Sequence, residues 1–258
     1  MHVDTLSANQ ANPSNGGLLG AALTHRHEDS YRLPVLLWEA GPGWRMLSSG
    51  VLGGGLGPRS YVLNAQVPGD YRRTDPEAHL AEIAASAGLQ GHGVGLMTAA
   101  DVTDAAFAAD GGVEAIATVG IGRPTWAAAP SELDEARLEH AGAGDAVAEQ
   151  FAPGTINIIV AVPVPLSDAA LVNAASTMTE AKVQAVMEAG YACTGTASDA
   201  LCLAVRTESD AGPTASFGGP RSRWGGRIAR AVRAAVYTGA VRDAKRTTRR
   251  RANRCRST

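Results

Sequence analysis

The sequence predicts an α/β fold (or, as the alternative, α+β) in which helices pack on a mixed β-sheet within one domain. Three neighbouring segments carry this prediction. Residues 156–164 are apolar and rich in β-branched side chains, as buried strands are. A capped helical stretch at 168–189 follows, and a second apolar run at 200–206 comes next. Strand, helix and strand in close succession are typical of a βαβ crossover over residues 156–206.

The other elements follow from local patterns. Asp75, Pro76 and Gly88 are the N-cap, first-turn and stop residues expected of a helix over 76–87. Alternating or apolar runs predict strands, and two further helices complete the chain. The predicted strands are 33–38, 44–49, 59–66, 93–97 and 113–121, and the further helices are 132–140 and 226 to about 246.

Composition sets the class and the domain plan. The 258 residues are 45% hydrophobic but only 5% aromatic, so the core must consist mainly of small and aliphatic side chains. We expect a disordered tail at 1–30, one domain at 31–246 and a basic disordered tail at 247–258.

Cysteine usage and hydropathy predict the compartment. The 3 cysteines form no CxxC pair and no metal-ligand spacing, which favours a reducing environment. The first 20 residues lack the pattern of a signal peptide, and no run is long enough to span a bilayer. The expected location is the cytoplasm. The oligomeric state stays open, and a homo-oligomer is compatible with the sequence.

Charge is distributed unevenly along the chain. From Arg221 onward there are 13 basic residues and a single acid, Asp243, although the whole chain has a net charge of −2. Two interpretations remain: a solvated end, or a surface for an anionic partner. Because the basic end has no interleaved aromatic residues, we favour the first and expect no nucleic-acid partner.

The helix at 168–189 raises the question of Lys182. At 100° per residue its apolar side chains share one arc, with Lys182 in the middle and Thr179 one turn away. Either the lysine stem covers the core while its amine reaches water, or the amine belongs to a site. The predicted core arc consists of Leu171, Val172, Ala175, Met178, Val183 and Val186.

The opposite side of the same helix is polar. Thr177 and Glu180 lie there with Asn173 and Gln184. Such a stripe is either solvated or, if the helix is covered on both sides, the lining of a site. In the second case Glu180 is a candidate general acid or base.

Two glycine–threonine turns stand at the starts of predicted strands. The first contains Thr155 and Asn157, and the second contains Thr196 and Asp199. They are either simple turn-formers or a source of hydroxyls, a carboxylate and backbone N–H groups for amide hydrolysis. In the glycine turn 53–55, Gly54 predicts a tight hairpin or a close approach to a flat ligand. His92, between two glycines, is either a turn residue or a proton shuttle.

Eight blocks along the chain resemble the adenosylcobinamide amidohydrolase family, and three or four unrelated blocks occur in the right order. The threonine-rich helix and the Gly-Thr…Asp turn after it are the most specific. The blocks are SSGVLGGG (48–55), NAQV (64–67), GVGLMTAADV (93–102), ATVGIGRP (117–124), GTINIIV (154–160), PLSDAALVNAASTMTEAKVQAV (165–186), TGTASDALCLAV (194–205) and FGGPRSRWGGRIARAV (217–232).

This resemblance implies hydrolysis of the amide between aminopropanol and the corrin ring of adenosylcobinamide, in cobamide salvage. The cobalt would arrive with the corrinoid substrate, so no cofactor or metal site of the protein's own is expected. From the blocks we infer catalytic roles for Asp199, Glu180 and Thr196. The inferred substrate-binding residues are Asn64, Gly54, His92 (also a candidate axial ligand to cobalt), Thr155, Asn157, Thr177, Thr179 and Lys182.

Two alternatives to this function remain: a corrinoid-binding protein without turnover, and an amidase of similar fold acting on another amide. The role of Thr155 is a separate question. A threonine after glycine is also what a self-cleaving amidase with an N-terminal nucleophile would carry. Because the strand at 156–164 looks continuous with its surroundings, we expect an intact chain in which Thr155 lines the pocket.

Overall fold

The computed structural model describes residues 3–4, 17–129, 154–208 and 212–254. Within these residues the strands are β1 (Val3–Asp4), β2 (Ala22–Glu28), β3 (Tyr31–Glu39), β4 (Trp44–Ser48), β5 (Gly55–Pro58), β6 (Tyr61–Gln66), β7 (Gly93–Thr98), β8 (Ala106–Asp110), β9 (Val113–Gly120), β10 (Thr155–Val162) and β11 (Ala200–Arg206). The helices are α1 (Pro76–Ser86), α2 (Asp168–Glu188) and α3 (Arg223–Arg254), with a 3-10 turn at Val102–Asp104.

The described strands form two mixed sheets, where the sequence predicted one. The small sheet has the order β1-β2-β3-β6-β7, and the large sheet has the order β5-β4-β11-β10-β9-β8. Each sheet is antiparallel except for one parallel pair: β6 with β7 around α1, and β10 with β11 around α2. The predicted βαβ unit is therefore confirmed, and the mixed α/β class with it.

The two sheets pack face to face with helices on both outer surfaces. Alternate residues of a strand point to opposite faces, and β10 shows the consequence. Ile156 and Ile158 pack against α2 and α3, whereas Ile159 and Ala161 pack against the small sheet. On the far side of the small sheet, Leu80 and its neighbours on α1 cover β3 and β6. The layers run helix, sheet, sheet, helix.

The N-terminal boundary differs from the prediction. Residues 22–28, assigned to a disordered tail, form β2, and the buried Leu19 donates its backbone N–H to Glu114 at 2.8 Å. The buried side chains of β2 include Thr24 and Arg26. Polar residues on the inward face hide the alternation that normally reveals a strand.

Two helices also differ from their predictions. α3 continues to Arg254, so residues 247–254 are helical and not a disordered tail. α2 begins after Ser167 as expected, but its buried face is rotated, because Val172 is 61% exposed. Its buried residues are instead Ala170, Leu171, Ala174, Thr177, Met178, Ala181, Ala185 and Val186. The predicted helix at 132–140 lies outside the described residues.

Candidate active site

A pocket of ≈ 500 Å³ opens between the two sheets at one edge of the sandwich. The strands β6 and β7 end there, and β10 and β11 begin there. Loops after β4 and β6 complete the wall. The lining residues are Ser49, Gly50, Val51, Val67, Pro68, Gly69, Tyr71, Leu96, Met97, Thr98, Ala99, Thr155, Ser198, Asp199 and Ala200.

Two hydroxyl groups meet in this pocket. The Oγ1 of Thr155, the first residue of β10, lies 2.8 Å from the Oγ of Ser198 in the turn before β11. The Ser198 hydroxyl donates to the carbonyl oxygen of Gly154 at 3.2 Å. Because a hydroxyl has a single proton to donate, the proton between the two hydroxyls belongs to Thr155. Thr155 therefore donates to Ser198, which in turn donates to Gly154.

Asp199, next to this pair, is saturated with hydrogen bonds. Its Oδ1 accepts from the backbone N–H of Ile156 at 3.0 Å and from the hydroxyl of Thr196 at 2.5 Å. Its Oδ2 accepts from Lys182 Nζ at 2.5 Å and from the backbone N–H of Thr196 at 3.1 Å. The carboxylate thus ties β10, α2 and the turn before β11 to one another.

The structure excludes the first of the two interpretations of Lys182, an amine that reaches water. Its side chain is only 13% exposed and its ammonium group pairs with Asp199, so the amine does not extend into water. Gly195 makes room for the pair: a Cβ there would lie 2.1 Å from Asp199 Oδ2, and its φ of +151° also favours glycine. The buried ammonium group of Lys182 and the buried carboxylate of Asp199 depend on each other, because either charge alone would be uncompensated.

A second polar group lies between the sheets behind the pocket wall. Asn157 Nδ2 donates to Asn64 Oδ1 at 2.9 Å and to the carbonyl oxygen of Met97 at 3.0 Å. Asn64 donates onward to the hydroxyl of Thr118 at 2.9 Å. These side chains, all buried, join β10, β6 and β9 and fix the register of the two sheets beside the pocket.

Comparison with known proteins bears directly on this site. A family model described as adenosylcobinamide amidohydrolase matches residues 20–248. The chain belongs to the adenosylcobinamide amidohydrolase family. The match takes in both sheets from β2 onward and every residue of the pocket. Membership makes the chain a hydrolase that acts on an amide.

Two curated relatives agree with the family assignment, and both are described as adenosylcobinamide amidohydrolases. The protein from Methanosarcina mazei is 31% identical over 194 residues, which cover 73% of this chain and 86% of the relative. The protein from Halobacterium salinarum is 32% identical over 201 residues, which cover 76% of this chain and 80% of the relative.

Several residues that the sequence grouped into the site lie elsewhere in this family member. Glu180 and Thr179 are exposed on the outer face of α2, where they line a shallow groove with Gln184 and Met187. Thr177 is buried, but its hydroxyl donates to the carbonyl oxygen of Gly218 in the loop before α3. These positions follow from the rotation of α2, whose alanine-rich face packs inward.

The two glycine-turn candidates are also distant from the hydroxyl pair. His92 is exposed before β7, at the opposite end of that strand from the pocket, and its carbonyl oxygen accepts from Ser60. Gly54 is exposed in the hairpin between β4 and β5, whose loop at 49–54 is longer than the tight turn expected. The pocket is lined instead by residues 49–51 just before that turn.

Ser198 and Tyr71 are pocket residues that sequence reasoning did not select. Ser198 directly precedes Asp199 in the sequence, and this adjacency could have indicated that Ser198 also lies in the pocket. Tyr71 is half-buried at the pocket, and its hydroxyl lies 3.0 Å from His79 Nδ1. Burial raises the pKa of Tyr71. His79 Nε2 in turn lies 2.9 Å from Glu28, so the pocket wall connects through α1 to β2.

The buried thiols are poor candidates for the attacking group. Cys193 and Cys202 are both fully buried and free. Burial raises the pKa of Cys202 to about 12 and also raises that of Cys193. Both remain protonated at neutral pH, and the thiolate is the reactive form. Among the described residues there is also no group of three or more potential metal ligands.

Proposed function

We propose that this protein hydrolyses the amide between aminopropanol and the corrin ring of adenosylcobinamide, giving adenosylcobyric acid and 1-amino-2-propanol in cobamide salvage. The observation that carries the proposal is the Thr155–Ser198 hydroxyl pair inside a pocket of a family member. The pair provides an oxygen nucleophile and a hydrogen-bonding partner, as acyl transfer requires.

The dimensions of the pocket indicate how the substrate would bind. A space of ≈ 500 Å³ is smaller than a corrinoid with its adenosyl ligand. The aminopropanol arm would enter the pocket while the ring covers its mouth. Val51 and Leu96 supply apolar contacts there, and half-buried Tyr71 provides an aromatic surface.

The proposed chemistry proceeds through an ester. The Thr155 hydroxyl attacks the amide carbonyl carbon and its proton passes to the amide nitrogen; the carbon–nitrogen bond then breaks and aminopropanol leaves as the neutral amine. Water then hydrolyses the ester to the corrinoid acid. The Ser198 hydroxyl would turn from the Gly154 carbonyl oxygen to donate to the developing charge, and Asp199 with Lys182 holds the turn that carries Ser198.

Within this proposal the enzyme needs no cofactor of its own, because cobalt is carried by the substrate. The buried free thiols of Cys193 and Cys202 favour a reducing compartment, for which we propose the cytoplasm. No helix among the described parts of the chain is long and apolar enough to cross a membrane.

The test is incubation of the purified protein with adenosylcobinamide and identification of the products by mass spectrometry. We expect adenosylcobyric acid and 1-amino-2-propanol in equal amounts. Thr155→Ala and Ser198→Ala should each lower turnover by at least about a hundredfold, the usual effect of losing a nucleophile's activation or an oxyanion donor.

Thr179→Ala is the matched control, since this exposed hydroxyl bonds only to the carbonyl oxygen of Ala175 within its own helix among the contacts that the structure describes. It should keep the rate of the unmodified protein. A corrinoid-binding protein without turnover would change the corrinoid spectrum but release no aminopropanol. That result would contradict the proposal.

A further inference from the structure

The peptide bond between Gly154 and Thr155 lies within the proposed catalytic group itself. Ser198 Oγ is 2.8 Å from the hydroxyl of Thr155 and 3.2 Å from the carbonyl oxygen of Gly154. One hydroxyl therefore contacts both the oxygen that could attack this peptide bond and the oxygen that would become negative.

The strand begins at Thr155 and not before it. β10 pairs with β9 from Thr155 opposite Gly120, whereas Gly154 lies outside the ladder. The sequence favoured an intact chain because the strand looked continuous through this point, and the structure does not support that reason. Gly154 is also tightly packed: a Cβ would lie 2.6 Å from the carbonyl oxygen of Gly120 and 2.6 Å from the nitrogen of Gly122.

Among the described residues of the intact chain, no base contacts the hydroxyl of the proposed nucleophile. The described hydrogen-bond partner of the Thr155 hydroxyl is another hydroxyl, that of Ser198. Asp199 is occupied by four donors, and Lys182 donates its proton to Asp199. A threonine with a free α-amine carries its own base, because the amine can take the proton from the hydroxyl.

We propose that the protein cleaves its own chain between Gly154 and Thr155, and that the freed α-amine of Thr155 then activates its hydroxyl against the substrate. The activation of Thr155 against the substrate rests on the proposed function, whereas the cleavage of the chain does not. In the first step Thr155 Oγ1 bonds to the carbonyl carbon of Gly154, and its proton passes through Ser198 to the carbonyl oxygen.

Collapse of that intermediate breaks the carbon–nitrogen bond, and the proton returns to the nitrogen. The product is an ester between the Gly154 carboxyl group and Thr155 Oγ1. One water molecule hydrolyses the ester, which leaves a carboxylate on Gly154 and a free amine and hydroxyl on Thr155. The only co-reactant is water.

The fold would hold the two fragments together after cleavage. In the large sheet, β10 and β11 of the second fragment are flanked by β9 on one side and β4 on the other, both from the first fragment. A cleaved protein would therefore purify as one particle and show its break only after denaturation.

Denaturing mass spectrometry of protein shown to be active decides the matter. We expect two fragments, residues 1–154 and 155–258, whose masses add up to that of the chain plus one water. N-terminal sequencing of the second should give Thr-Ile-Asn. Thr155→Ser should still cleave, Thr155→Ala should remain a single inactive chain, and Thr179→Ala should cleave as the unmodified protein does.

A single uncleaved mass in a preparation that releases aminopropanol would overturn this inference and leave the proposed function standing. Complete fragments without aminopropanol release would support the cleavage and count against the proposed function. The ratio of fragment to chain in the Thr155→Ser protein provides a second readout, which holds even where Thr155→Ala fails to fold.

Discussion

The carboxylate of Asp199 connects several elements of the fold. The four donors around it come from a strand, a helix and a turn, so the side chain joins the parts of the fold that carry the hydroxyl pair. A carboxylate with all its lone pairs engaged is poorly placed to exchange protons. We therefore assign Asp199 a positioning role, where the sequence indicated an acid–base role.

Replacement of Asp199 by asparagine should lower kcat by about a hundredfold or more, with little change in KM. The neutral side-chain amide of the asparagine would no longer form an ion pair with Lys182. The turn that carries Ser198 would therefore lose its position. Glu180→Gln is the matched control, because its carboxylate lies on the exposed outer face of α2. Kinetics on folded protein, checked by circular dichroism, gives the measurement. Equal losses in both variants would contradict the assignment.

The sequence placed Lys182 beside the buried arc of α2 but could not choose its partner. Asp199 lies 17 positions further along the chain, and only the crossover brings the two together. The error over which face of α2 is buried has a different origin. Large aliphatic residues such as Val172 dominate a hydropathy pattern, whereas the true inward face uses alanines that allow α3 to pack closely.

At the scale of elements, Arg246 is the last residue of the C-terminal helix that a described contact attaches to the rest of the fold. Arg246 donates to the carbonyl oxygen of Val119 at 3.1 Å and pairs with Asp104, whereas residues 247–249 are exposed. Asp243, the single acid of the basic end, accepts from Tyr191 at 2.8 Å. The basic end of the chain is therefore attached to the rest of the fold through Asp243 and Arg246.

Deletion of residues 247–258 should leave aminopropanol release and the melting temperature unchanged. Deletion of 241–258 also removes Arg242, Asp243 and Arg246, and should lower the free energy of unfolding by roughly 1–3 kcal/mol. Urea denaturation of both truncated proteins compares them directly. A large loss of activity in the shorter deletion would show that the basic end takes part in function.

The contact between Tyr191 and Asp243 predicts an alkaline pH dependence. Burial, and then the hydrogen bond to Asp243, raise the pKa of Tyr191. The folded state thus favours the neutral phenol of Tyr191. The contribution of this tyrosine to the free energy of unfolding is therefore complete below pH ~10, where tyrosine titrates in the unfolded chain, and is lost as the pH rises above it. Urea midpoints between pH 8 and 11 should fall less steeply in Tyr191→Phe than in the unmodified protein.

Tyr31→Phe serves as the comparison, since Tyr31 is 52% exposed. Its slope should match that of the unmodified protein. Tyr61 and Tyr71 also have pKa values raised by burial, so some alkaline dependence should remain in Tyr191→Phe. Identical slopes in all three proteins would mean that the Tyr191 contact contributes nothing to stability.

Elements with strong apolar signals were predicted well. Observed β11 has the predicted limits, and α2 differs from its prediction by one residue at its end. The missed strands have weak signals for physical reasons: β5 is Gly-Leu-Gly-Pro, and β8 contains mostly alanine. Such segments become strands because a neighbouring strand supplies hydrogen-bond partners, and that information is not local.

At the scale of the whole molecule, the sequence predicted the class but not the number of sheets. Both faces of β10 are buried, so its apolar run shows that something covers each face but does not say what. Helices cover one face and a second sheet covers the other. The polar cluster of Asn64, Thr118 and Asn157 lies at that second interface, where a single-sheet prediction offered it no partner.

The order of strands in the large sheet also constrains how the chain can reach this structure. β4 lies early in the sequence, yet it pairs with β11, where Ser48 is opposite Cys202. Contacts between such distant residues require closure of a long loop before they contribute any stability. During synthesis, the pairing of β4 with β11 must therefore wait for almost the entire chain to emerge. Folding of the candidate pocket, whose wall joins the loop after β4 to the start of β11, is consequently one of the last events in the folding of the molecule.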